Sequence, residues 1–247
     1  MKRSAHRLAG RAGLTLIEVL VVAGLLGVVM SLAYGSVIAQ MRRHAGQMLL
    51  SEAMHSGRSA FNVLTDQIEL AGFGVPTAST PSKAPMLVTT DPTKLSFWVS
   101  TRAVHSYLTA AAALGATTVK LLSTSGLKVG GTVYIADATR WYSGTISAVR
   151  NDAIDVKPAL TYNFPAGSSL TPVELVTFDY ADGALRRNGK VLIPNVTSLA
   201  FTYDAKTPAA VRIVTVALSV QTRAAEARVG RRTVSLATRV APPQLAL

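Results

Sequence analysis

Residues 11–43 read RAGLTLIEVLVVAGLLGVVMSLAYGSVIAQMRR, and the order of charge and apolarity along them decides how the chain is organised. From Val19 to Met41 there are 23 residues without a charge, enough to cross a bilayer as a helix. Lys2, Arg3, Arg7 and Arg11, with His6, precede the run, whereas Arg42 and Arg43 follow it. The side richer in basic residues stays in the cytoplasm, so the bulk of the chain is expected outside the inner membrane.

A secretory signal peptide would carry a shorter apolar region, of about 7–15 residues, with a small-residue cleavage site after it. Here the small residue, Gly13, lies before the run, and a carboxylate, Glu18, lies at its start. A charge within an apolar span is costly unless paired, so Glu18 marks a function that needs a partner. The alternative is an uncleaved signal anchor with Glu18 reaching to interfacial water, which accounts for neither the glycine nor the position of the carboxylate.

Gly13-Leu14-Thr15-Leu16-Ile17-Glu18-Val19 resembles the processing site of type IV prepilins and of type II secretion pseudopilins, which usually carry Phe where this chain has Leu14. The resemblance implies that a prepilin peptidase cuts between Gly13 and Leu14 on the cytoplasmic face, removing a leader of residues 1–13, and that Leu14 is then N-methylated. Physical chemistry agrees with that implication. A cut before Leu14 strands an α-ammonium in hydrocarbon, and Glu18 has the opposite charge; residues four apart on a helix share a face. Between subunits, such a pair would set the axial register of a growing filament.

The helical pattern continues past the span, with Leu50, Met54, Phe61, Leu64, Ile68 and Phe73 recurring at spacings of three, four or seven. No proline occurs between Leu14 and Val75, so one helix from Leu14 to Ala71 would be about 87 Å long, more than one small domain can bury. The segments 14–41 and 42–74 are therefore expected as a polymerisation helix and its amphipathic continuation. Glycines at 24, 27, 35, 46 and 57 would let identical or homologous helices approach closely. An ordinary membrane anchor with a coiled stalk shares this periodicity. Gly72, Gly74 and Pro76 end the helix, and the proline- and serine-rich stretch within 75–93 is expected as a linker.

From residue 94 to 247 short β-type runs alternate with turn residues: 95–100, 117–122, 131–136, 143–149, 173–180, 190–193, 196–203, 211–221 and 231–240. Asp182-Gly183 and Asn188-Gly189 predict tight turns, so 176–180, 184–187 and 190–193 should form a meander. The fold class is α+β, a long N-terminal transmembrane and stalk helix followed by a mostly antiparallel β head. Residues 112–172 resemble a small β-barrel insert. VTFDYADGALRRNGKVLIPNVTSLAFTYD, followed by VRIVTVALSVQTR, is similar to the C-terminal part of PilW-type minor pilins and of GspJ-type pseudopilins, and LTDQIELAGFG at 64–74 is similar to the end of their helix.

The formal charge of +12 falls when the leader goes, because four of the 25 basic residues leave with it and 21 remain against 13 acidic ones, a balance of +8. A basic surface suits anionic partners without specifying one. The absence of cysteine excludes disulfides, thiolate metal sites and cysteine nucleophiles. His105 is the one histidine beyond the helical part, and neither HExxH nor a phosphate-binding glycine loop is present, so neither an enzyme, a cofactor nor a metal is expected. Asp152 and Asp155 around Asn151 suit a turn as well as a calcium site. Trp98, Trp141 and Tyr142 suit sheet packing or a stacking surface. Arg186, Arg187 and Lys190, and likewise Arg228, Arg231 and Arg232, suit phosphate contact with nucleic acid or the charged guarding of a sheet edge.

The resemblance implies a minor pilin, a structural and assembly subunit of a type IV pilus at its initiation or tip complex. Alternatives are a GspJ-like pseudopilin of a type II secretion system and a DNA- or surface-binding tip adhesin. Expected partners are the prepilin peptidase, other major and minor pilins through the N-terminal helix, and the inner membrane before assembly. The head is expected in the periplasm and then in a filament at the cell surface.

Overall fold

The computed structural model describes residues 15–100, 105–225 and 230–246. The chain divides into two compact units, Met1–Leu49 and Leu50–Leu247. Helix α1 runs from Leu16 to Glu69, 54 residues, or about 81 Å of helical rise. In the first unit it carries the apolar run. Valine is a poor helix former in water, but a helix satisfies its own backbone, which is what an apolar surrounding demands. Ser31 follows the same rule, its hydroxyl donating to the Val28 carbonyl at 2.8 Å.

In the second unit the end of α1 lies on a sheet through Ala53, Gly57, Ala60, Leu64 and Ile68, a stripe that returns every three or four residues. This corrects the predicted stripe at both ends. Leu64 and Ile68 are fully buried, yet Met54 and Phe73 are about two-fifths exposed, and small residues take the contact face further back. The reason is clearance, since a Cβ at Gly57 would lie 3.5 Å from Val220 and 3.6 Å from Leu236. Gly72 and Gly74 then turn the chain at φ +81° and +77°. Backbone bonds from Gly72 N–H to the Trp98 carbonyl (2.8 Å) and from Ser100 N–H to that of Phe73 (2.7 Å) fasten the turn to the sheet.

The strands are β1 Lys94–Val99, β2 Ser106–Tyr107, β3 Thr118–Lys120, β4 Thr132–Ala136, β5 Trp141–Val149, β6 Ala153–Lys157, β7 Ser169–Ala181, β8 Ala184–Arg187, β9 Lys190–Pro194, β10 Val196–Tyr203, β11 Val214–Gln221 and β12 Thr233–Val240. All their pairings are antiparallel, as expected. Asp182, Gly183, Asn188 and Gly189 all have positive φ, so both predicted turns form and β7, β8 and β9 make the meander.

Strand β7 serves two structures. Residues 169–173 pair with β4, and 174–179 pair with β1. The first half completes a ring in the order β3-β6-β5-β4-β7. Strand β2 closes it, pairing with Leu170 and Ser169 on one side, while Leu122 N–H donates to Tyr107 (2.9 Å) and Thr109 N–H to Lys120 (3.1 Å) on the other. The result is a small barrel that begins at β2, ahead of the expected 112–172, and is filled by a cluster that includes Val119, Val133, Ile135, Tyr142, Ile146, Ile154, Phe164 and Leu170. The second half of β7 belongs with α1 and the three-stranded sheet β10-β11-β12 to the main cluster, around Leu64, Ile68, Phe97, Phe178, Phe201 and Leu218.

Residues 75–93, expected as a linker, lie within the second unit and pack onto it. Val75, Ala78, Ala84 and Leu87 are buried, and Leu87 bridges to Phe97. Val75, Ala84, Tyr134 and Val173, with Trp98 and Trp141 against them, form a third cluster.

Candidate functional site

The first turn of α1 contains Glu18. The Thr15 carbonyl opens the helix, accepting from the N–H groups of Glu18 (3.1 Å) and Val19 (3.3 Å). A carboxylate here lies at the positive end of the helix dipole. Gly13 and Leu14 lie outside the described residues. Every residue from 15 to 37 is exposed; Leu16 is 82% exposed and Leu32 70%. A helix that is apolar on all sides needs lipid or other helices around it. This one is long and apolar enough to cross a membrane. No other side chain would meet a Cβ at Gly24, Gly27 or Gly35, so those glycines leave flat places on its surface.

Elsewhere the candidate residues are dispersed. Arg186 and Arg187 are successive residues of β8 and so project from opposite faces of the sheet. Arg186 is ion-paired with Asp182. Arg187 donates to the Gln67 side chain of α1 at 3.2 Å and faces Lys190 across the Asn-Gly turn. The predicted trio is thus divided between two faces, and two of its members have neutral or acidic partners. Arg228 lies outside the described residues, and Arg231 and Arg232 are exposed ahead of β12.

Asp155 accepts from the Thr118 hydroxyl and from Arg150, both at 2.7 Å. The Thr118 hydrogen bond, followed by that from Arg150 and its charge, lowers its pKa from the ordinary 3.8. The sequence showed the aspartate but not the two partners, which come from strand pairing. Among the described residues no three His, Cys, Asp or Glu side chains gather where they could hold a metal. His105 Nδ1 lies 3.3 Å from the Thr171 hydroxyl. Tyr142 is buried in the barrel and donates to the Pro158 carbonyl. Trp141 donates to the Ser82 carbonyl at 2.6 Å and meets Tyr134 edge to face at 5.5 Å. Burial pushes the Tyr134 hydroxyl up to about 12. Trp141 and Tyr134, with Trp98, pack against residues 82–86, whereas Tyr142 belongs to the barrel core, so the packing reading applies to Trp98, Trp141 and Tyr142.

The family described as "Prokaryotic N-terminal methylation motif" matches residues 8–34. The chain therefore carries a type IV pilin-like prepilin signal, the substrate signature of pilins and pseudopilins. No match is found among curated proteins. Among solved structures, the phage phi92 endosialidase is similar at 17% identity and a TM-score of 0.21, over 64% of this chain and 24% of its own. A likeness of that degree carries no argument about fold or function.

Proposed function

We propose that this chain is a minor pilin of the PilW type, a structural and assembly subunit of a type IV pilus rather than an enzyme. One observation carries the reading: the methylation motif at residues 8–34 opens a helix whose apolar surface is exposed on every side. A prepilin peptidase would cut between Gly13 and Leu14, and the new amine would be methylated. Glu18 would then neutralise the amine of a neighbouring subunit as the helix leaves the membrane for the filament. The barrel supports a minor role, because it adds bulk to the head beyond what a unit repeated around a thin fibre can accommodate. That bulk fits a place at the initiation or tip complex, with the head in the periplasm before assembly.

Mass spectrometry of the mature chain, with a Glu18→Ala variant, tests the proposal. The expected mature N-terminus is methylated Leu14 in both proteins, with the variant processed but missing from sheared filaments. An intact Met1, a cut after residue 30, or normal incorporation of the variant would refute it.

A further inference from the structure

Strand edges expose unpaired backbone groups, and this head covers or guards most of its own. The barrel closes on itself through β2. The free side of β1 is covered by residues 86–88, with Trp98 N–H donating to Met86 (2.9 Å) and Val88 N–H to Ser96 (2.8 Å). The free side of β10 is met by Pro92, whose carbonyl accepts from Phe201 N–H at 2.8 Å. Strand β9 is five residues long, begins at Lys190, ends at Pro194 and pairs through a bulge, the usual devices against unwanted pairing.

Strand β12 has no such cover, proline or bulge, and its one charged residue, Arg239, stands next to its end. It pairs with β11 over eight consecutive residues without a register shift, and it contains no proline. Among the described residues nothing else shares its backbone hydrogen bonds. Thr222 N–H donates to the Arg232 carbonyl at 2.8 Å, whereas Gln221 N–H donates to Asn195 on the opposite side at 2.8 Å. Antiparallel alternation then turns the N–H and C=O groups of Thr233, Ser235, Ala237 and Arg239 outward. The inner face is unfinished at the same edge. On β11, Val216, Leu218 and Val220 are buried, but their β12 neighbours Thr238, Leu236 and Val234 are only half-buried.

Charge indicates what fits there. From Ala205 to Leu247 the sequence has seven basic residues and one acidic residue, Glu226. Arg231 and Arg239 are exposed near the two ends of β12. A second copy pairing edge to edge would bring two such basic segments together, and like charges across a strand pair are destabilising. We propose that the outer edge of β12 is a docking site for an extended strand of another protein, with apolar residues at alternate positions and acidic residues at its ends. Main-chain bonds to Thr233, Ser235, Ala237 and Arg239 would hold the strand, and its apolar residues would cover Val234 and Leu236. This proposal is independent of whether the chain enters a filament.

The test uses the full chain in detergent micelles and eight-residue peptides in which Asp and Glu flank alternating Val, Ile or Leu and Thr. Fluorescence polarisation reads binding, and hydrogen exchange reads which amides are protected. The expected result is binding with slowed exchange at Ser235, Ala237 and Arg239. Ala237→Pro removes an outward N–H without touching the β11 ladder, and should weaken binding about tenfold or more at unchanged thermal stability. Arg231→Glu with Arg239→Glu should reverse the preference toward Lys-ended peptides. Absence of binding at millimolar peptide overturns the proposal, as does protection confined to β9. So does concentration-dependent self-association that protects these amides in the absence of peptide, since the occupant would then be a second copy.

Discussion

Replacing Gly74 by alanine tests how tightly the helix end is seated on the sheets. Two costs can be worked out separately. Gly74 has φ +77°, a region that costs an L-residue roughly 1–2 kcal/mol. The added Cβ would also lie 2.5 Å from Ser100 Cβ and 2.9 Å from Thr171 Cγ2, and such overpacking costs about 1–3 kcal/mol. The sum is roughly 2–5 kcal/mol, or roughly 4–20 °C in melting temperature for a unit of this size. Gly189→Ala supplies the control, because its φ is +76° and no atom lies within 4 Å of the added Cβ. It should cost only the conformational part, about 1–2 kcal/mol. Near-UV circular dichroism of the full chain in detergent would follow the melt, with Gly74→Ala/Ser100→Gly completing a double-mutant cycle. The steric part should return in the double variant as a coupling of about 1 kcal/mol or more. Equal costs at Gly74 and Gly189, or additivity with Ser100→Gly, would refute the close approach.

Three further outcomes follow from the packing. Leu64→Ala should cost about 2–5 kcal/mol in urea denaturation, and Met54→Ala, at a position 39% exposed, under about 1 kcal/mol; the reverse order would restore the stripe expected from periodicity. Tyr142→Phe should cost about 1–3 kcal/mol, because the Pro158 carbonyl loses its donor inside the barrel, and amide exchange of β5 and β6 should quicken. Asp91 and Asp155 have pKa values lowered from 3.8 in the folded chain, Asp91 first by the Thr93 N–H and Asp155 first by the Thr118 hydroxyl. Their contribution to stability is thus present above 3.8 and is lost as pH falls below it. Acid titration of Asp155→Asn should give a shallower loss than the parent, and an identical profile would exclude Asp155 as a contributor.

How legible each feature was depends on how local its cause is. The apolar run, the carboxylate at its start and the two turn dipeptides are each read from consecutive residues, so the helix and the β7–β9 meander could be placed directly. The stripe on the second part of α1 could not. Periodicity favours large apolar residues, but the sheet accepts Ala53, Gly57 and Ala60 where β11 and β12 approach the helix. The basic trio was visible as composition, yet only strand alternation shows that Arg186 and Arg187 leave the sheet on opposite sides.

By itself the sequence determined the α+β class, the prepilin signal and the exclusion of thiol chemistry, because hydropathy, turn geometry and residue inventory need no distant partner. Only the tertiary structure decided that two residues, Ser106 and Tyr107, close a barrel and that β7 is divided between two sheets. It also decided that, among the described residues, the outer edge of β12 is left open. Each of these depends on pairings between residues dozens of positions apart, and a strand of two residues has no period that a sequence could display.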